Sequence, residues 1–258
     1  MNDSALTYAL LCLSAIAAGA VNSIAGGGTL LTFPALLRVL GAVEANATST
    51  VALLPGSFAG AVGYRKELRE GKRLILWLLA PSILGGIVGA KLVTALPQRI
   101  FEGLIPWLIL TASALFLLQG PIKRWTGAGS HGPPTGKTII VVVFAQFLIA
   151  VYGGYFGAGI GILMLSVLPF MGTRTIHETN AAKTFLASVI NAVTVAVFID
   201  EGKVVWHYAL AMAAAAIVGG YVGARLARRM PATAVRYIVI AIGFALGGYY
   251  LWKELAGS

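Results

Sequence analysis

The sequence is poor in charge. Only 11% of its 258 residues are Asp, Glu, Lys or Arg, and only nine are acidic. That is too little to keep the surface of a soluble globular domain in water. Cysteine is nearly absent: Cys12 stands alone, which excludes an intramolecular disulfide, a zinc quartet or a thiol pair, and it reads as a packing residue. The three histidines, His131, His177 and His207, are scattered, and no acidic cluster falls inside an apolar run. A metal-dependent membrane enzyme or divalent-cation channel is therefore not expected, nor is any cofactor or metal. No strand-like alternation of polar and apolar residues is present, which argues against an outer-membrane barrel. No G-x-x-x-x-G-K-[ST] loop is present either, so any transport must draw on a gradient or a partner protein. No Lys or Arg precedes Arg38, so a cleaved signal peptide, which needs a basic leader, is not expected.

What fills the chain is apolar. Hydrophobic residues make up 58% of it, and the mean hydropathy is +0.86, values of an all-α integral membrane protein whose first partner is the lipid bilayer. Apolar runs fall at about 5–25, 28–40, 46–64, 74–95, 101–119, 138–156, 160–171, 181–199, 205–226 and 235–252. The second and seventh are too short to cross a ~30 Å core at ~1.5 Å per residue. Each reads as a half-helix or one arm of a re-entrant hairpin. Each also follows a glycine break, Asn22-Ser23-Ile24-Ala25-Gly26-Gly27-Gly28-Thr29 in one case and Gly153 to Gly161 in the other. Broken backbone at membrane depth is tolerated only where protein buries it or where it lines a cavity.

The halves repeat. Glu44-Ala45-Asn46-Ala47-Thr48-Ser49-Thr50 answers Glu178-Thr179-Asn180-Ala181-Ala182-Lys183-Thr184, and Gly85-Gly86-Ile87-Val88-Gly89-Ala90 answers Gly219-Gly220-Tyr221-Val222-Gly223-Ala224. This gives a repeat at 1–120, a Pro- and Gly-rich cytoplasmic linker at 121–137, and a second repeat at 138–258. The glycine words suit close helix packing. The basic residues change loops between halves, from Arg65, Lys66, Arg69, Lys72 and Arg73 in the first to Arg225, Arg228, Arg229 and Arg236 in the second. By the positive-inside rule the repeats are expected to be inverted, with both termini outside. Trp77, Trp107, Trp125, Trp206 and Trp252 suit an interfacial belt.

A helix starting after a glycine break aims free N–H groups and its positive dipole end at the gap, which suits an anion. The candidate substrate residues at the breaks are Asn22, Ser23, Gly26, Gly27, Gly28 and Thr29, and Tyr155, Gly157 and Gly159. The alternative is that the glycines only permit tight crossing. Asn46 and Thr50 share a helix face, as do Asn180 and Thr184. They either reach the ligand or, in the case of the asparagines, cap their helices. Lys183 stands where the first repeat has Ser49. Read as lying in the first turn of its helix, it opposes the dipole and calls for an anion, unless it snorkels to the surface. His177 beside Glu178 and near Arg174 is a grouping that could shuttle protons, or else an ordinary polar loop.

The run from Ala20-Val21-Asn22-Ser23-Ile24-Ala25-Gly26-Gly27-Gly28 to Pro34, the Asn-Ala-x-x-Thr word in both halves, and Gly-Ala-Lys/Arg-Leu ending in Pro97 or Pro231 resemble the TauE/SafE sulfite exporter family, also called the toluene-sulfonate uptake permeases. The resemblance implies a bacterial-type inner-membrane permease for sulfite, sulfonates or related organic acids. The residues themselves point only to a small anion, with a proton or sodium as possible coupling ion and homo-oligomerisation left open. The competing readings are a membrane-embedded hydrolase of a lipid-linked substrate and an anion channel. The hydrolase lacks an assembled nucleophile, acid and base.

Overall fold

The computed structural model describes residues 4–24, 27–126, 134–173, 175–226 and 232–256. Among them the chain is all-helical: α1 (Ala5–Ile24), α2 (Thr29–Leu36), α3 (Ala42–Gly63), α4 (Arg65–Glu70), α5 (Lys72–Ala95), α6 (Gln98–Thr126), α7 (Gly136–Tyr155), α8 (Ile160–Val167), a 3-10 turn (Leu168–Met171), α9 (Ile176–Asp200), α10 (Trp206–Leu226) and α11 (Ala232–Ala256). Six of these, α1, α5, α6, α7, α9 and α11, contain stretches long and apolar enough to cross a bilayer. All five tryptophans are exposed, as an interfacial or lipid-facing role requires.

Several boundaries differ from the hydropathy reading. The helices expected from about 46 and 181 begin at Ala42 and Ile176. Their polar first turns are helical because capping, not hydrophobicity, starts them. Thr175 Oγ1 accepts from the Glu178 N–H at 3.1 Å, so Thr175 is the N-cap of α9 and Thr175-Ile176-His177-Glu178 has the pattern of a capping box. Gly41 holds the same place before α3, with the Glu44 carboxylate folded over it. In addition, α6 runs through Gly120 and Pro121 to Thr126, and α7 starts at Gly136. Much of the stretch expected as linker is thus helical, and residues 127–133, with His131, lie outside the described residues.

The chain forms two compact units, and neither is one sequence half. The first unit comprises residues 1–56, 93–117 and 198–258, and the second 57–92 and 118–197. In the first, α1 and α10 lie parallel. The Tyr8 and Tyr208 rings meet at 5.3 Å, Cys12 Sγ points to the Ala211 carbonyl at 3.9 Å, and Gly19 lies on the backbone of Ala216 and Gly220. A methyl group at Gly19 or Gly219 would overlap the opposite main chain. Phe33 and Phe101 meet edge to face at 6.2 Å in its interior.

In the second unit α5 and α7 make the equivalent parallel seam. Gln146 Nε2 donates to Ser82 Oγ at 2.9 Å, and Gly85, Gly89 and Gly154 lie against opposing backbone. The paired glycine words therefore do pack helices, and each seam joins helices from different halves. Leu78, Ile149, Met164, Leu168, Leu186 and Ile190 make up much of the second unit's core. Here α3 and α9 meet antiparallel: Gly60 faces the Thr184 methyl, while Ser57 accepts from Ser188 through its carbonyl at 2.8 Å and from Asn191 through its hydroxyl at 3.5 Å. Ser57 and Asn191 stand at the same sequence offset as Asn46 and Asn180.

Candidate functional site

In the first unit the chain leaves α1, turns and starts α2 back along it. Gly27 takes φ +90°, a left-handed conformation that favours glycine, and a methyl group there would run into the Phe116 ring. Asn22 closes the turn: its Oδ1 accepts the Gly28 N–H at 2.7 Å. The Leu30 and Leu31 N–H groups return to the Gly27 and Gly28 carbonyls at 3.0 and 2.9 Å. Much of this helix start is therefore satisfied by the chain itself. Gly26 lies outside the described residues, and only the backbone of Ser23 is described, as part of α1. Thr29 is the first residue of α2 and half-buried.

In the second unit Gly157 and Gly159 take φ +83° and +84°. The loop is again closed by a side chain six residues upstream, here with donor and acceptor reversed: Tyr152 Oη donates to the Ala158 carbonyl at 2.7 Å. Tyr155 ends α7 and is half-buried. The Ile162 N–H returns to the Gly159 carbonyl at 3.0 Å. Ile160 and Gly161, the first two residues of α8, have N–H groups in the turn where a helix supplies no acceptor of its own.

Each short helix meets its longer partner at corresponding positions of the longer helix, Ser49 and Lys183. In the first unit Thr32 and Ser49 share a hydrogen bond of 2.6 Å, both fully buried. In the second, the place of Ser49 is taken by Lys183, whose methylene stem lies over Gly161, with Cδ 3.3 Å from where a Cβ would sit. The stem of this half-buried lysine thus crosses the first turn of α8, and a side chain at residue 161 would crowd it.

Other expected residues are placed differently. Lys183 is the eighth residue of α9, so it cannot oppose that helix's dipole, whose effect fades within one turn. The dipole next to it is that of α8, which has the sign that adds to a cation in attracting an anion. Asn46 and Asn180 are the fifth residues of α3 and α9, not caps. Asn46 is buried and Asn180 half-buried. Thr50 Oγ1 donates to the Asn46 carbonyl at 2.8 Å, a bond within its own helix. Thr184 packs its methyl on Gly60. His177 is exposed in the first turn of α9, and Glu178 lies at the cap and over Gly71. Arg174 is outside the described residues.

Ser188 and Asn191, which continue the Thr184 face of α9, were not anticipated, although spacings of four and three residues in an apolar helix were the available signal. Buried Gln146 and Ser82 were also missed as a pair. Among the described residues no group of three or more His, Cys, Asp or Glu is arranged to hold a metal ion.

A family model described as sulfite exporter TauE/SafE matches residues 11–250. The chain is 28% identical over 240 residues to a Sinorhizobium protein named probable membrane transporter protein ORF9, covering 92% of this chain and 90% of that one. It is 25% identical to a probable membrane transporter protein of Haemophilus influenzae, covering 95% of this chain and 94% of that one. It is also 25% identical to the probable membrane transporter protein YfcA of Escherichia coli K12, with 97% and 92% covered.

Proposed function

Because this integral membrane protein belongs to the sulfite exporter TauE/SafE family, we propose that it is a secondary transporter for a small sulfur-containing anion, sulfite or a sulfonate, in a bacterial-type inner membrane. The observation that carries the reading is the seat of Lys183. The stem of a half-buried lysine lies over the first turn of a helix that begins at a left-handed glycine. The α8 amides and the ammonium both favour an oxyanion, and a sulfonate offers three oxygens to meet them. Asn180 stands three residues before Lys183 on α9, on the same helix face.

We read the two halves as inverted repeats with both termini outside. The antiparallel meeting of equivalent stretches of α3 and α9 supports this. A twofold relation between antiparallel helices needs an axis across them, which for membrane helices lies in the membrane plane. The return of α2 along α1 supports the re-entrant hairpin that such a topology needs. Accessibility labelling of single cysteines in a Cys12→Ser background tests it: positions 65–73 and 228 should report one side and position 200 the other. A shared side for positions 65–73 and 200 would end the inverted reading.

The functional test is uptake of labelled sulfite and an alkylsulfonate into proteoliposomes. Saturable accumulation of unchanged substrate is expected. Flux that does not saturate would favour a channel, and chemically altered substrate a hydrolase. Imposed proton and sodium gradients identify the coupling ion, and loss of proton-driven uptake on His177→Ala or Glu178→Gln would assign those residues to it.

A further inference from the structure

One large concavity lies away from both breaks. In the first unit the N-terminal turns of α1, the C-terminal end of α2, the start of α6 and the end of α11 surround a groove of about 1470 Å³. That exceeds the roughly 300–1,000 Å³ of a usual small-molecule pocket, and an anion of a few atoms would leave it almost empty. Its chemistry is divided. Leu10, Leu31, Leu37, Ile242 and Leu246 give it an apolar side, whereas the charges Arg38, Arg99, Glu102, Lys253 and Glu254 come from helix ends.

The two carboxylates already have neighbours. Glu102 Oε1 accepts from Gln98 Nε2 at 2.7 Å, and Glu254 lies over the backbone of α6 at Gly103. Arg38, Arg99 and Lys253 are exposed, and three cations face two carboxylates. Charge at one end and a long apolar floor match a molecule built the same way.

We propose that this groove is a binding site for one membrane phospholipid with an anionic headgroup, its phosphate held by Arg38, Arg99 and Lys253 and its acyl chains laid along Leu10, Leu31 and Leu246. The apolar part of the lining favours a lipid over a free anion, which would leave that part uncovered. The cations distinguish an anionic lipid from a zwitterionic one, whose own ammonium would repel them. The site is separate from the transport reading and stands if that reading fails.

Native mass spectrometry of the full-length protein, released from nanodiscs of phosphatidylglycerol and phosphatidylcholine in equal amounts, tests it. One phosphatidylglycerol should survive on the wild type with at least tenfold preference. The combined Arg38→Ala, Arg99→Ala and Lys253→Ala variant should lose that preference while still holding lipid. Leu246→Trp, which fills the floor, should lower retention of both lipids. If it does not fold, the triple variant, changed only at exposed side chains, still decides the matter. Equal phosphatidylglycerol retention by wild type and triple variant would overturn the proposal. So would displacement of the lipid by inorganic phosphate, which would mark a vestibule for free anions. A wild-type dimer without lipid that Leu246→Trp converts to monomer would overturn it too, by giving the groove to a second copy.

Discussion

At the first break an amide oxygen closes the loop and the short helix rests on its neighbour through two hydroxyls. At the second a phenol closes the loop and the corresponding contact is the stem of an ammonium side chain. The backbone problem is the same in both: a chain that reverses after a helix must hold its turn. Both solve it with positive-φ glycine and a latch six residues upstream. The difference lies in the side chain at the contact. Thr32 and Ser49 share a hydrogen bond in a fully buried, uncharged pair, whereas Lys183 brings a positive charge to the short helix of the second unit. The second turn is therefore the better candidate for ligand work.

The strongest way to break the comparison is to add a side chain at each turn. Gly27→Ala meets both a left-handed backbone, roughly 1–2 kcal/mol, and the Phe116 ring, roughly 1–3 kcal/mol of overpacking. Gly159→Ala carries the backbone term. Apparent melting in detergent should fall for both and further for Gly27→Ala. The reverse order would show that the first turn is the looser one. Gly159→Leu that inserts normally and transports at the wild-type rate would return that glycine to a packing role.

Charge is the next contrast. Lys183→Ala should weaken sulfonate binding roughly tenfold to a hundredfold, the loss of a charge-assisted contact of ~1.5–3 kcal/mol, and Lys183→Arg should restore part of it. Ser49→Ala should lower stability and leave affinity alone. Isothermal titration separates the two, and an affinity unchanged within twofold in Lys183→Ala would remove this lysine from the site.

The latches come third. Asn22→Ala leaves the Gly28 N–H without its acceptor and should cost about 1–3 kcal/mol, whereas Tyr152→Phe keeps the ring and should cost about 1 kcal/mol. Hydrogen exchange should quicken around Gly28 in the first case and near Ala158 in the second. Exchange unchanged at both places would mean that the glycines alone hold the turns.

Much of this was legible in the sequence because membrane helices announce themselves by length and because Gly27, Gly28, Gly157 and Gly159 are poor helix residues in the middle of apolar runs. The glycine words were read correctly as packing devices. Their partners were not readable, since no local pattern says that Gly89 meets Val151 or Gly219 meets Ile16. Lys183 was visible as a break in the repeat, but the reason attached to it was wrong: α9 starts earlier than hydropathy implied, and the relevant dipole belongs to α8. The same blindness to polar first turns hid Thr175 and Gly41, and averaging over apolar helices hid Ser188 and Asn191, single polar residues whose contacts with Ser57 lie far away in sequence.

The mildest prediction concerns those helix starts, where the two halves again solve one problem with different residues. Thr175 caps α9 through its hydroxyl, whereas Gly41 precedes α3 with no side chain and leaves room for Glu44. If the positions are equivalent, the cap of α9 should tolerate what α3 already uses. Thr175→Ala removes the acceptor of the Glu178 N–H and should cost about 1 kcal/mol, whereas Thr175→Gly lets water and Glu178 reach the helix end and should cost only a few tenths. Thermal unfolding of the two variants side by side measures the difference. A glycine variant that falls as far as the alanine one would mean that Glu178, unlike Glu44, does not close its helix end, and the likeness of the two starts would then stop at their sequence spacing.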